Sequence, residues 1–203
     1  MKLKTIFAAA LALLALTQVA CAEPTNTSKA KVGKDYSVIE GAKGVNKPEV
    51  MEFFSYTCPH CYNVEGFLHK WQPTKPAEVE FKQVPVFLPQ VPHLAYGYYT
   101  AEVLGVLDKV HPAIFNQWHA EKKIIKNKED LIPIFEAAGI SKEDFEKAYN
   151  SFAVDSKVQH AKKLAREFKV MSFPMFVVNQ KYKVESYENL DYMLSKFPIE
   201  KAQ

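Results

Sequence analysis

Residues 50 to 56, VMEFFSY, run almost directly into Cys58-Pro59-His60-Cys61, and this junction limits the folds open to the 203-residue chain more than any other segment. The run carries aromatic and β-branched side chains with little polar alternation. It reads as a central strand buried on both faces, the kind that lies inside a parallel or mixed sheet. Cys61, Val64, Leu68 and Trp71 then fall at helical spacing until Pro73 stops the pattern. The cysteine pair therefore opens a helix at the end of a buried strand.

Around that junction the chain divides into three stretches. Tyr36 and Val38 begin a short alternation, and Gly41, Gly44 and Pro48 make a turn-rich connection to the buried strand. Residues 79 to 87 (VEFKQVPVF) read as a second strand interrupted by Pro85. From about 89 to 170 helical signals crowd together with almost no strand-like segment. Asn127 with Asp130 and Ser141 with Asp144 resemble capping boxes, and Gly139 suits a helix C-terminus. Pro133 predicts a kink or a later helix start. Phe145, Ala148, Tyr149 and Phe152 give one apolar stripe; Val154, Val158, Ala161, Ala165 and Phe168 give another. MFVVN (175 to 179) and KYKV (181 to 184) then pair as a hairpin around Asn179-Gln180, followed by a helix from about Ser186 to Lys196.

The first residues set the compartment. Lys2 and Lys4 form a positive region, Ile6 to Leu16 an apolar core, and Ala20-Cys21-Ala22 a small-x-small site, the three parts of a cleaved secretory signal at 1–22. The apolar run is shorter than the about 20 residues a membrane span needs. Lipid attachment at Cys21 fits less well, because no leucine stands three residues before it. Cleavage after Ala22 leaves 181 residues, with 24 basic against 23 acidic side chains. So balanced a charge gives no reason to expect nucleic acid or an anionic membrane as partner. Residues 23 to 34 have the composition of a solvated tail.

Removing the leader also removes Cys21, which leaves Cys58 and Cys61 as the only thiols. Two thiols at this spacing can form and break a disulfide reversibly, and a lone pair in an exported chain is better read as reactive than as a staple. A cysteine at a helix start faces unpaired backbone N–H groups and the positive end of the helix dipole, both of which favour thiolate over thiol. Cys58 holds that position. Cys61, one turn inside, is expected to be more buried and less acidic, and to act as the resolving partner. His60 adds a donor or a positive charge nearby. Anything that stabilises the reduced thiolate makes the disulfide a stronger oxidant. Zinc would need two further ligands from His69, His93, His111, His119 and His160, none at metal-finger spacing. A structural disulfide across four residues would remove little chain entropy. These five histidines read as ordinary surface or core polar groups.

The order strand, helix, strand, helical block, hairpin, helix resembles an α/β thioredoxin fold with a central mixed sheet interrupted by a helical insertion domain. More narrowly, EFFSYTCPHCY (52–62), LGVLDKV (104–110), AAGI (137–140), NSF (150–152) and FPMFVVNQKY (173–182) are similar to the DsbA family of bacterial periplasmic disulfide oxidases. Pro59-His60 is that family's usual dipeptide where thioredoxins have Gly-Pro. The resemblance implies a thioredoxin-like domain in two parts, 23–88 and 165–203, around an insertion at 89–164. It further implies donation of the Cys58–Cys61 disulfide to unfolded or reduced exported proteins, with no cofactor beyond that disulfide. Reoxidation would fall to a DsbB-like, quinone-linked protein of the inner membrane, and the chain would be a monomer. The strength of the oxidant is a property of the family and is implied here only through the resemblance. A disulfide isomerase or reductase remains an alternative, as does a peptide-binding chaperone with incidental cysteines.

Two further residues stand out. Glu52 lies in an otherwise apolar strand, where burial raises a carboxyl's pKa; it could exchange protons with Cys61, a role the resemblance also assigns. Lys82 and Gln83 both compete to be its partner. Pro174, after Phe173 and ahead of a strand, is placed like the family's cis-proline, which would turn the backbone of residue 173 towards the cysteines to pair with an extended client. Phe173 replaces the small or β-branched residue common there. Phe87, Leu88, Val91, Pro92 and Phe173 are candidates for an apolar client surface.

Overall fold

A computed structural model describes residues 32–196. The expected leader at 1–22, with Cys21, lies outside the described residues. Five strands form one mixed sheet: β1 (Tyr36–Val38), β2 (Glu49–Phe54), β3 (Glu80–Pro85), β4 (Met175–Val178) and β5 (Tyr182–Val184), in the order β1-β5-β4-β2-β3. β2 runs parallel to β3 and antiparallel to β4, and every residue of β2 is buried. The parallel step from β2 to β3 is made by α1 (Pro59–Trp71), as a parallel crossover requires.

Between β3 and β4 come α2 (Pro92–Val103), α3 (Leu107–His119), α4 (Ile132–Ala137), α5 (Lys142–Tyr149) and α6 (Phe152–Glu167), with no named strand among them. α7 (Leu190–Lys196) follows the hairpin, whose turn residues Asn179 and Gln180 have φ of 52° and 51°. Lys181 N–H closes the turn on the Val178 carbonyl at 3.1 Å, and two successive positive φ values match the right-handed twist of the flanking strands. The mixed sheet with its helical insertion is the architecture that the element order suggested. The expected insertion boundary at 164 falls within α6, which continues to Glu167.

Strand periodicity distributes the core between two layers. Met51 and Phe53 join the cluster shared with the insertion, which includes Leu94, Ile114, Phe135 and Val158. Val50 joins Val64, Leu68 and Trp71 of α1 and Leu190 and Met193 of α7 on the other face. Glu52, two residues on, therefore shares the face that α1 covers.

Local signals set most helix ends. α4 begins at Ile132, so Pro133 lies in its first turn, where its missing N–H costs nothing. Gly139, at φ 93°, ends that helix, and Ile140 N–H bonds back to the Phe135 carbonyl at 3.0 Å. The apolar stripe expected to end at Phe152 needs correction, because that side chain is 85% exposed. Asn150 closes α5 and Ser151 caps α6, so the helical period restarts and Phe152 faces solvent as the first residue of a new helix.

Candidate active site

The loop from Ser55 to Cys58 carries the chain from β2 into α1. Cys58 N–H donates to the Ser55 carbonyl at 3.1 Å, and Thr57 N–H to Ser55 Oγ at 3.2 Å. Cys58 is the N-cap of α1, in extended conformation, and its Sγ accepts the Cys61 N–H at 3.4 Å. Pro59 follows with its φ already suited to a first helical turn and no N–H to satisfy. No acidic residue stands in that turn. The positive end of α1 is thus presented to sulfur and to little else.

Cys58 and Cys61 stand as free thiols in this structure. Cys61 is fully buried and Cys58 is 8% exposed, so Cys58 is the one within reach from outside. Burial pushes the Cys61 thiol far above its usual range; a backbone hydrogen bond from Ser55 opposes this, and the neighbouring Cys58 and Glu52 add to it. His60 is exposed at the head of α1 and forms no hydrogen bond with another described residue.

The Phe173–Pro174 peptide bond is cis, and the Phe173 carbonyl lies 3.5 Å from Cys58 Sγ, which donates to it. The sheet and the insertion thereby bring together two segments 115 residues apart. Phe173 is half-buried against the core.

Below the pair, Glu52 is completely buried, and desolvation raises its pKa to about 8; the nearby Glu65 carboxyl raises it too, and the Gln83 amide pulls it down. Gln83 is its partner, with Nε2 donating to Glu52 Oε2 at 2.9 Å. Lys82, the other candidate, points to the opposite face of β3, where it pairs with Glu49 at 2.5 Å and Glu80 at 3.0 Å. The register decides this, since Glu52 stands opposite Gln83 and not opposite Lys82.

The candidates for an apolar surface do not line one groove together. A groove of about 480 Å³ is lined by Val86, Phe87, Ala165, Val170 and Met171, with Lys162, Arg166 and Lys169 at its rim. Phe87 belongs to it, under the Lys162 ammonium, which lies 4.3 Å from the ring centroid. Leu88, Val91, Pro92 and Phe173 do not line it. Met171, at 92% exposure, was missed because nothing distinguishes an exposed methionine from a buried one in a short loop.

α3 supplies residues that sequence reasoning passed over. His119 Nε2 donates to the Tyr56 carbonyl at 2.8 Å and its ring stacks on Tyr62 at 5.0 Å, so α3 holds the loop ahead of Cys58. His111 is buried and meets the Tyr56 hydroxyl at 2.7 Å and Glu65 at 3.4 Å. Its place in the helical pattern was the available signal: with Val110, Ile114 and Phe115 it sits on the buried face of α3.

A paired-thiol helix start beside a cis-proline loop, on a thioredoxin-type sheet, defines a protein disulfide oxidoreductase. A family model described as "DSBA-like thioredoxin domain" matches residues 92–196. The thiol:disulfide interchange protein DsbA of Burkholderia cepacia is 36% identical over 157 residues, covering 74% of each chain. That of Azotobacter vinelandii is 36% identical over 169 residues, covering 81% of this chain and 78% of its own. The crystal structure of Pseudomonas aeruginosa DsbA superposes with a TM-score of 0.75 at 32% identity, covering 86% of this chain and 95% of that one. The chain belongs to the DsbA family.

Proposed function

We propose that this oxidoreductase is a periplasmic oxidase that donates a Cys58–Cys61 disulfide to exported proteins as they fold. The observation that carries this reading is the head of α1. There Cys58 Sγ receives a backbone N–H with no acidic side chain in the first turn, above a Cys61 thiol that burial keeps protonated. A backbone N–H and the positive end of a helix favour sulfur as an anion, and whatever favours the reduced side makes the disulfide the stronger oxidant.

In the forward reaction a client thiolate attacks Cys58 Sγ. A client–Cys58 bond forms, the Cys58–Cys61 bond breaks, and Cys61 leaves as a thiolate. Glu52 gives it a proton, and a carboxyl titrating near 8 is well matched to that exchange at neutral pH. A second client thiolate then attacks the client sulfur, so that the client gains a disulfide and Cys58 leaves as the thiolate. Two electrons have passed to the protein, which needs no cofactor beyond its own disulfide. A DsbB-like, quinone-linked membrane protein would take those electrons back.

Pro59 preorganises the first turn and His60 adds its charge to the head of α1. The client backbone pairs with Phe173, ahead of Pro174, in the manner of an added strand, and its side chains use the neighbouring groove. No described helix is long and apolar enough to cross a membrane. Cleavage of residues 1–22 would release the chain, as a monomer, into the periplasm.

Equilibration with glutathione buffers tests the proposal. An oxidase gives a reduction potential far above thioredoxin's ~−270 mV; a value near thioredoxin's would overturn it in favour of a reductase.

A further inference from the structure

The polar chain that begins at Glu52 does not end at Gln83. The same Gln83 nitrogen that donates to Glu52 Oε2 also donates to Glu65 Oε1, each at 2.9 Å. One amide nitrogen has two hydrogens, and both are committed. The far oxygen of Glu65 lies 3.4 Å from His111 Nε2, and His111 Nδ1 meets the Tyr56 hydroxyl at 2.7 Å. Three stretches of the chain thus meet: β2 running through its loop into α1, β3, and the insertion helix α3.

The roles along this chain follow from its ends. Burial holds the Tyr56 hydroxyl well above its ordinary ionisation range, so it keeps its hydrogen and can donate to Nδ1. A neutral imidazole then carries its hydrogen on Nε2, and a protonated one carries a hydrogen there as well, so in either state a polar N–H lies beside Glu65, in a 3.4 Å contact that is not aligned as a hydrogen bond and leaves Nε2 with no other partner. Around the ring stand Phe54 from β2, Tyr56 from the loop, Tyr98 from α2, Phe115 from α3 itself and Glu65 from α1. Tyr98, like Tyr56, is held un-ionised by burial, so Glu65 is the carboxylate that faces His111.

Two carboxyls tied to one amide nitrogen repel if both are charged in a low-dielectric site. Glu65 has a quarter of its side chain exposed and a histidine ring nitrogen 3.4 Å away, whereas Glu52 has Oε1 buried and unpartnered, so Glu52 is the better seat for a proton.

We infer that His111 is a positioning residue for the active-site acid: it holds the Glu65 carboxylate against Gln83, and through that contact keeps the proton on Glu52. The helical insertion would then do more than cover the sheet. It would set the charge beneath Cys61 from outside the thioredoxin-like domain. This rests on the proton role proposed for Glu52 and extends it to a residue that touches neither cysteine.

The test is a carbon-13 NMR titration of glutamate-labelled reduced protein, with the Glu52 carboxyl resonance assigned by Glu52→Gln. His111→Phe and Glu65→Gln each lower the Glu52 midpoint, by on the order of half a pH unit or more. The double variant goes no lower than Glu65→Gln alone, because both act through one contact. His111→Gln keeps the midpoint, since its amide N–H can take the place of Nε2–H. Tyr56→Phe lowers it with little change in packing, and so decides the matter if His111→Phe does not fold. An unmoved midpoint in folded His111→Phe or Tyr56→Phe, or additive shifts in the double variant, would overturn the inference. A Glu52→Gln protein with undiminished exchange rate would instead remove the proton role and leave the measured coupling to stand or fall separately.

Discussion

Three helices begin with the same side-chain cap, and they are matched to different ends. In α5, Ser141 Oγ accepts the Asp144 N–H at 3.1 Å; in α6, Ser151 Oγ accepts the Val154 N–H at 3.3 Å; in α1, Cys58 Sγ accepts the Cys61 N–H at 3.4 Å. All three caps have extended backbone. The surroundings differ. α5 has Glu143 and Asp144 in its first turn and α6 has Asp155, whereas α1 has no acid there. In the insertion the helix dipole is already answered by carboxylates, so the cap contributes only stability. At the head of α1 the dipole is left for sulfur, and the cap becomes the reactive atom.

The largest effect should come from exchanging the cap atom. Cys58→Ser lowers thiol oxidation of a reduced peptide to the uncatalysed rate. Serine is itself a good N-cap, so the variant should lose no more than about 1 kcal/mol of reduced-state stability in a urea melt. A collapse of the fold would mean that sulfur is needed there for structure as well.

Next comes the buried acid below that cap. Glu52 titrates near 8 in the folded protein against 4.5 for the ordinary group, so the native state binds more protons than the unfolded state between those values. Stability is therefore highest at or below about pH 4.5 as far as this group is concerned, and falls as pH rises towards 8. Glu52→Gln should flatten that fall, leaving the variant more stable than the parent by on the order of 5 kcal/mol at pH 9. Parallel pH–stability curves for the two proteins would show that the carboxyl is not desolvated as described.

Ser141→Ala sharpens the comparison from the other side. It should cost about 1 kcal/mol in a thermal or urea melt and leave the potential against glutathione unchanged. The smallest effect is expected from His60→Glu, which gives α1 the acid its counterparts have. A charge of the wrong sign for a sulfur anion at a helix N-terminus costs about 0.3–1 kcal/mol, or roughly 10–20 mV towards a more reducing couple. If the potential rose instead, the helix dipole would not be what favours the anion.

Much of the fold was legible because it is written in local signals. The apolar run at 50–56 and the helical spacing behind Cys58 place the pair at a strand-to-helix junction. Asn179-Gln180 marks the hairpin, and Ser141 marks a helix start. Local reading failed where two helices abut. Phe152 fits the spacing of the helix before it, and only the break at Asn150-Ser151 turns it to solvent.

The site divides along the same line. The order of residues along the chain fixes Cys58 at a helix cap and Cys61 one turn inside, since three residues of helix can do nothing else. It also fixes Glu52 in a strand. Strand register chose Gln83 over Lys82, because a shift of one position turns a side chain to the other face of the sheet. The meeting of Phe173 with Cys58, and of His111 with Glu65, spans 115 residues in one case and two separate layers in the other. Such contacts depend on how the insertion settles on the sheet, and no local pattern records that packing.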